Sequence, residues 1–80
     1  MLVEINNLNS RTTTAHLMQL FNPFGKLESV RIVKEEQSGK SCCFGIVSLG
    51  YRAGLMAITE LHNRLFMGHY LEVYETDLMA

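Results

Sequence analysis

Residues 42–49, Cys-Cys-Phe-Gly-Ile-Val-Ser-Leu, are the stretch that decides the fold prediction. The run is almost entirely apolar and lies between a polar segment, 35–41, and Gly50. A short apolar run between turn-forming residues is typical of a strand that is buried within a sheet. We therefore predict a strand over 42–49 in the middle of a sheet.

A second strand precedes this one in the chain. Residues 27–34 read Leu-Glu-Ser-Val-Arg-Ile-Val-Lys, in which β-branched residues are frequent. The residues between the two strands, 35–40, are polar and predict a turn centred near Gly39. Because the connection is short, we expect the two strands to pair as an antiparallel hairpin.

The two ends of the chain each predict one more strand. Residues 2–8 and residues 69–75 both alternate between apolar and polar side chains, which is the pattern of a strand buried on one face. We expect the tail, 76–80, to fray. The apolar residues expected to face the core are Val3, Ile5, Leu71 and Val73.

Two further segments predict helices. Thr13 is placed to cap the first helix, and Pro23 and Gly25 are expected to end it. The second helix is predicted over 51–62 and should end at Asn63, which readily adopts a left-handed conformation. Their inner faces carry Leu17, Leu20, Phe21 and Phe24 in the first helix, and Ala53, Ala57, Ile58 and Leu61 in the second.

The order of these elements is βαββαβ. It favours the α+β, ferredoxin-like sandwich, in which two helices cover one face of a four-stranded antiparallel sheet. We expect residues 1–80 to form one such domain. The other face of the sheet is then open and is the natural place for a ligand.

The charge balance excludes two kinds of binding region. The 80 residues contain 7 Lys+Arg and 8 Asp+Glu, so the formal net charge is −1. A chain so balanced has neither a polybasic nucleic-acid clamp nor an acidic tail. Any contact with a phosphate backbone must therefore come from a few placed cations.

The sequence gives no sign of a metal site, a cofactor site or a membrane segment. Cys42 and Cys43 are neighbours on a predicted strand and should point to opposite faces, so we do not expect them to bond each other. Two cysteines without a CxxC spacing do not make a zinc site, and no apolar run approaches the ~20 residues that span a membrane. Unpaired thiols favour a reducing compartment, the cytoplasm or a eukaryotic nucleus.

The stretch 42–49 resembles the octamer of the RNA recognition motif (RRM) family, [RK]-G-[FY]-[GA]-[FY]-V-x-[FY]. Phe44, Gly45 and Val47 match this pattern. Residues 3–8, Val-Glu-Ile-Asn-Asn-Leu, resemble the hexamer of the family's first strand. Both predicted helices and the approach to the last strand also agree in spacing, so the resemblance covers about residues 2–75.

The departures from the family pattern fall on the face that binds RNA. In the family, one aromatic residue of the first strand and two of the third strand stack on bases. The residues here are Glu4, Phe44 and Ile46, so one aromatic of three is retained, and Cys42 replaces the basic octamer residue. Because each lost stack is worth ~1–3 kcal/mol, the resemblance implies RNA binding of weak or narrow affinity.

The resemblance also implies which residues would meet single-stranded RNA on the open face. Phe44 would stack on a base, and Asn6 would hydrogen-bond to a base edge. Arg31, Lys40 and Arg11 would contact phosphates. The RNA-binding residues expected on this basis are Phe44, Ile46, Glu4, Asn6, Arg31, Lys40 and Tyr74.

Two protein-binding alternatives stay open from the sequence. Arg64-Leu65-Phe66 is similar to the Arg-x-Phe signature of RRM-like modules that capture a tryptophan-bearing peptide. Those modules carry acidic residues in the first helix, and residues 12–24 contain none. The second alternative is self-association through an apolar stripe formed by Val33, Phe44, Ile46 and Tyr74.

Catalysis is not expected. Acylphosphatases share this topology but need a glycine-rich loop that cradles phosphate after the first strand. The loop 6–11 contains Arg11 and no glycine. The three histidines are scattered along the chain and form no cluster that suits a general base or a metal: His16, His62 and His69.

Overall fold

The computed structural model describes residues 1–37 and 40–77, and the side chains of residues 1–34 and 43–77. Two helices and a four-stranded sheet follow the predicted βαββαβ order, with a small extra hairpin before the last strand. The elements are β1 (Leu2–Asn6), α1 (Thr14–Phe21), a 3-10 turn (Asn22–Phe24), β2 (Leu27–Gln37), β3 (Lys40–Leu49), α2 (Tyr51–Leu61), β4 (Leu65–Phe66), β5 (His69–Tyr70) and β6 (Glu72–Thr76).

The main sheet is antiparallel and has the strand order β2-β3-β1-β6. The prediction that the apolar run 42–49 forms a strand inside the sheet is confirmed, because β3 lies between β2 and β1. In the β1–β3 ladder, Val3 is opposite Val47 and Ile5 is opposite Gly45. Val3 and Ile5, which were expected to face the core, therefore lie on the same side of the sheet as Val47.

The core lies between that side of the sheet and the two helices. Leu17 and Phe21 of α1, and Ala57 and Leu61 of α2, are completely buried there. From the sheet and its connections come Val3, Ile5, Val47, Leu49, Leu71 and Val73, each at most 1% exposed. Gathering so many apolar side chains into one cluster supplies most of the driving force for folding a domain of this size.

Helix α1 approaches β3 at Gly45. A Cβ atom on Gly45 would lie 2.6 Å from Cδ1 of Leu17, which is closer than two carbon atoms can approach. A side chain at position 45 would have to displace this methyl group of the completely buried Leu17, which gives a packing reason for the glycine that matches the octamer.

The predicted cap of the first helix is confirmed, whereas α1 ends at Phe21, before Pro23, and a 3-10 turn that includes Pro23 continues to Gly25. α2 ends at Leu61, one residue before its predicted end. The Thr13 hydroxyl accepts a hydrogen bond from the backbone N–H of His16 at 3.2 Å, and His16 Nδ1 accepts from the backbone N–H of Thr13 at 3.0 Å. This is a capping box in which histidine takes the place of the usual Glu or Gln. After α2, Asn63 has the left-handed φ of 66° that was expected of it.

The β2–β3 hairpin is longer than predicted. Its ladder continues to the pair Gln37 and Lys40, so the assignment of residues 35–37 and Lys40 to a turn is wrong. β1 pairs with β3 only between Gly45 and Ser48, so the end of the β2–β3 hairpin extends past the rest of the sheet. The residues there are polar, and polar residues can pair as strands where no core has to be covered. The predicted centre of the turn, Ser38-Gly39, lies outside the described residues.

The single strand predicted over 69–75 is also wrong in extent. Met67 and Gly68 both have positive φ, 50° and 81°, and this tight turn folds β5 back onto β4. Leu71 then hydrogen-bonds to Arg64 through its N–H at 2.9 Å, which separates β5 from β6. β6 includes Thr76, which was expected to belong to a frayed tail; residues 78–80 lie outside the described residues.

The packing of Leu17 over Gly45 gives a test of the core. Leu17→Ala should lower the free energy of unfolding by ~2–5 kcal/mol, because it leaves a cavity at a completely buried site. The matched control is Met18→Ala on the same helix, where the side chain is 52% exposed and the loss should stay below ~1 kcal/mol. Urea unfolding followed by circular dichroism measures both, and equal losses would contradict this account of the core.

Candidate nucleic-acid interface

Two rows of side chains cross the open face of the sheet. In the first row, the register places Arg31, Ile46, Glu4 and Tyr74 side by side on β2, β3, β1 and β6. In the second row, Val33 is opposite Phe44 and Asn6 is opposite Glu72. The open face thus contains all the predicted RNA-binding residues except Lys40, whose side chain lies outside the described residues.

The two apolar octamer residues of this face differ in exposure. Phe44 is partly exposed, so one part of its ring is available for stacking. Ile46 is only 4% exposed, although it points away from the core. Its cross-strand neighbours are the long side chains of Arg31 and Glu4, and such side chains readily cover an apolar residue between them. In this structure Ile46 offers little surface to a base.

Glu4, Asn6 and Tyr74 form a hydrogen-bonded network on the β1–β6 side of the face. The Tyr74 hydroxyl donates to Glu4 Oε2 at 2.7 Å. The Asn6 side-chain amide donates to the same Oε2 at 2.6 Å and to the Tyr74 hydroxyl at 2.5 Å. Each of the three side chains therefore fixes the orientation of the other two, and the ring of Tyr74, 44% exposed, stays at the surface.

This network perturbs the tyrosine. The pKa of Tyr74 is raised above its ordinary value of 10.0, chiefly because its hydroxyl donates a hydrogen bond to the carboxylate of Glu4. Partial burial and the negative charges of Glu4 and Glu72 act in the same direction. Tyr74 is therefore a neutral hydrogen-bond donor over the whole physiological pH range.

Charge is distributed unevenly across the face. Arg31 lies on β2 at one side, and Glu4 and Glu72 lie on β1 and β6 at the other. Arg11 is exposed in the loop that follows β1, where its backbone N–H donates to Asn9 Oδ1 at 2.9 Å. A phosphate chain would meet Arg31 on the β2 side and carboxylates on the β6 side. Glu28, also on β2, adds a carboxylate that accepts a hydrogen bond from the Ser48 hydroxyl at 3.3 Å.

The coupling of Glu4 to Tyr74 is the feature that sequence reasoning missed. The two residues are 70 positions apart, and only the register of β1 with β6 makes them neighbours. The sequence did contain one signal, because both residues were expected to point outward from their strands. What the sequence lacked was the register of these two strands, which sets Glu4 opposite Tyr74.

The Arg-x-Phe segment does not form an open pocket. Phe66 is partly buried and packs against the core, while Arg64 is exposed. Both backbone hydrogen-bonding groups of Arg64 have partners: its N–H donates to the carbonyl of Leu61 at 3.0 Å, and its carbonyl accepts from the N–H of Leu71 at 2.9 Å. Phe66 is thus part of the packing between the β4–β5 hairpin and the core, and the peptide-binding alternative is not favoured.

The described part of the chain was also compared with what a metal site and a membrane-spanning helix require. Among the described side chains, those of residues 1–34 and 43–77, no group of three or more His, Cys, Asp or Glu is arranged to hold a metal ion. Neither described helix is long and apolar enough to cross a membrane.

Comparison with known proteins identifies the class. The profile of the RNA recognition motif family matches residues 3–72. Protein elav of Drosophila melanogaster is 39% identical over 70 residues, which are 86% of this chain and 14% of that protein. The chain thus spans about one seventh of that relative and, likewise, 14% of protein elav of Drosophila virilis.

Solved structures agree with that match. The crystal structure of RNA Binding Protein PG1 is 30% identical, with a TM-score of 0.87 over 100% of this chain and 98% of that one. The Rna15 motif with bound RNA (GU) is 13% identical, with a TM-score of 0.81 over 96% of this chain and 83% of that one, and shares the fold.

The chain belongs to the RNA recognition motif family. Its ferredoxin-like α+β fold and its octamer-bearing strand β3 are those that the sequence predicted. Within that family it is a divergent member, because a hydrogen-bonded carboxylate, Glu4, lies where the family pattern has a stacking aromatic residue.

The Glu4–Tyr74 hydrogen bond predicts a titration. Tyr74 should ionise above pH 10.0, and Glu4→Gln should lower its pKa, because a neutral amide favours the protonated phenol less than a carboxylate does. The bond stabilises the fold at neutral pH and is lost as the pH rises through the pKa of Tyr74. NMR of the tyrosine rings against pH measures this, with Tyr74→Phe to assign the signal. An identical pKa in wild type and Glu4→Gln would contradict the network.

Proposed function

We propose that this chain binds single-stranded RNA on the open face of its sheet, by stacking one base on Phe44. The observation that carries the proposal is the position of Phe44: a partly exposed aromatic ring on β3, on the face opposite the helices. Membership of the RNA recognition motif family supports it, since stacking on this strand is how the family's sheet meets RNA.

The neighbouring side chains define the rest of the proposed site. Asn6 lies at the same end of the β1–β3 ladder as Phe44, where it can meet the edge of a stacked base. Arg31, exposed on β2, is placed to contact a phosphate, and the exposed ring of Tyr74 offers a second, smaller surface. The site binds and orients its ligand; catalysis and a cofactor are no part of the proposal.

The expected affinity is lower than that of a member with a full set of aromatics. Glu4 supplies no stacking surface and places a negative charge on the face, and Ile46 is covered. Stacking contributes ~1–3 kcal/mol per base, so the missing rings remove most of the sequence-independent affinity. The affinity that remains depends on Phe44 and on specific polar contacts, so we expect the face to bind a narrow range of RNA sequences.

The stacking proposal is tested at Phe44. Phe44→Ala should weaken binding to a labelled pool of random single-stranded RNA by ~1–3 kcal/mol, roughly 5- to 150-fold in Kd, as measured by fluorescence anisotropy. The control is Tyr51→Ala, which removes an aromatic ring, 63% exposed, from α2 on the other side of the sheet. Wild-type affinity in Phe44→Ala would contradict the proposal.

Sedimentation at two concentrations tests self-association, which would bury the same face.

The electrostatic part of the proposal is tested by salt. Each phosphate contact should contribute about 0.7 to the slope of log Kd against log salt concentration. Because few cations lie on the face, the total slope should be small. Arg31→Gln should lower the magnitude of that slope by roughly 0.7, since it removes one such contact. The matched control, Arg52→Gln, alters an exposed arginine of α2 and should leave the slope unchanged. An unchanged slope in Arg31→Gln would remove that residue from the site.

A further inference from the structure

Glu4 raises a question that the stacking proposal leaves open. Its carboxylate lies in the first row of the face, between Ile46 and Tyr74, where an RNA strand would have to pass. A negative charge repels phosphates, so at this position it weakens RNA binding unless a group on the RNA donates hydrogen bonds to it. The donors that RNA can present to a carboxylate are the N–H groups of its bases and its 2′-hydroxyls.

The position of Glu4 brings it within reach of a base stacked on Phe44. Glu4 is directly opposite Ile46, and Phe44 is two residues from Ile46 on the same face. Such diagonal neighbours are ~7–8 Å apart, with their Cβ atoms somewhat closer, and a glutamate and a purine ring together can span this separation. The carboxylate is therefore within reach of the edge of a base whose flat side stacks on Phe44.

The carboxylate is also held in one orientation before any ligand arrives. The hydroxyl of Tyr74 and the amide of Asn6 both donate to the same oxygen, Oε2. These two bonds fix the plane of the carboxylate and direct its other oxygen, Oε1, away from them. A group fixed in this way loses little conformational freedom on binding, so it discriminates well between ligands.

The four bases differ in what they offer a carboxylate. Guanine carries two adjacent donors on its Watson–Crick edge, N1–H and the 2-amino group, and both can converge on Oε1, the carboxylate oxygen to which neither Tyr74 nor Asn6 donates. Adenine and cytosine place a ring nitrogen acceptor beside their amino group, and uracil places carbonyl oxygens on both sides of its single N–H. An acceptor that faces a carboxylate is repelled, so guanine is the base that fits.

We propose that Glu4 makes the sheet selective for guanine, by accepting the N1–H and 2-amino hydrogen bonds of a guanine that stacks on Phe44. This inference rests on the proposed function, since it names the base that the stacking site takes. Arg31 on β2 is placed to meet a phosphate while the base edge meets Glu4 on β1, although Glu28 puts a further carboxylate on the β2 side.

The test compares RNAs that differ in single groups. The probes are labelled uridine octamers with one central guanosine, inosine or adenosine; inosine is guanosine without the 2-amino group. Wild-type protein should bind the guanosine RNA about tenfold or more tightly than the adenosine RNA, and the inosine RNA should be intermediate, because a good bidentate pair is worth ~1–3 kcal/mol. In Glu4→Gln the difference between guanosine and inosine should disappear, because the amide presents one acceptor and one donor.

Two further variants separate hydrogen bonding from charge. Glu60→Gln makes the same change in net charge on α2, at an exposed position, and should keep the guanosine preference. Glu4→Asp keeps the charge but withdraws the carboxylate by one methylene, so it should lose the preference. If Glu4 acted only by repelling phosphates, Glu4→Asp would behave as wild type and Glu4→Gln would bind all three RNAs more tightly by the same factor.

The outcomes distinguish this inference from the function on which it rests. Equal affinity of the wild type for the three RNAs, or a guanosine preference that persists in Glu4→Gln, overturns the guanine site and leaves RNA binding in place. Failure of the wild type to bind these RNAs and a random single-stranded pool overturns the proposed function itself. NMR spectra of Glu4→Gln and of Glu4→Asp show whether each variant keeps the backbone of the wild type, so that its binding result reports on the site.

Discussion

The antiparallel pairing of β1 with β3 is the constraint on which the rest of the structure depends. It sets Val3 against Val47 and Ile5 against Gly45, so that these residues meet the helices, and it leaves Glu4, Ile46 and Phe44 on the other face. A shift of one residue would exchange the two faces and expose the core residues to water. The buried face fixes this register, and the composition of the open face follows from it.

The open face combines two kinds of binding chemistry. Phe44 provides an aromatic surface that accepts any base, and the network of Glu4, Asn6 and Tyr74 provides directed polar groups. Stacking gives affinity with little selectivity, whereas fixed hydrogen-bonding groups reject ligands that leave them unpaired. A face that exchanges aromatic rings for such a network is expected to bind fewer RNAs, and to distinguish among them better.

Sequence reasoning predicted the core more completely than the elements at its margins. The spacing of Leu17 and Phe21, and the alternation of Val3 and Ile5, follow from the periods of helix and strand, and the structure confirms all four as buried. The ends of the β2–β3 hairpin and the division of the last predicted strand were wrong. The end of the β2–β3 hairpin is formed by paired polar residues, and the last predicted strand is divided by a turn at Met67 and Gly68. Neither feature produces an apolar pattern in the sequence.

The sequence by itself determined which residues face the helices and which face outward, because that follows from local periodicity and from the need to bury apolar surface. It also placed Phe44, Glu4 and Tyr74 on the outward side of their strands. Only the tertiary structure decided that Glu4 and Tyr74 are neighbours and that Ile46 is covered. Contacts of this kind depend on strand order and register, which join residues far apart in the chain, and no local pattern of side chains encodes them.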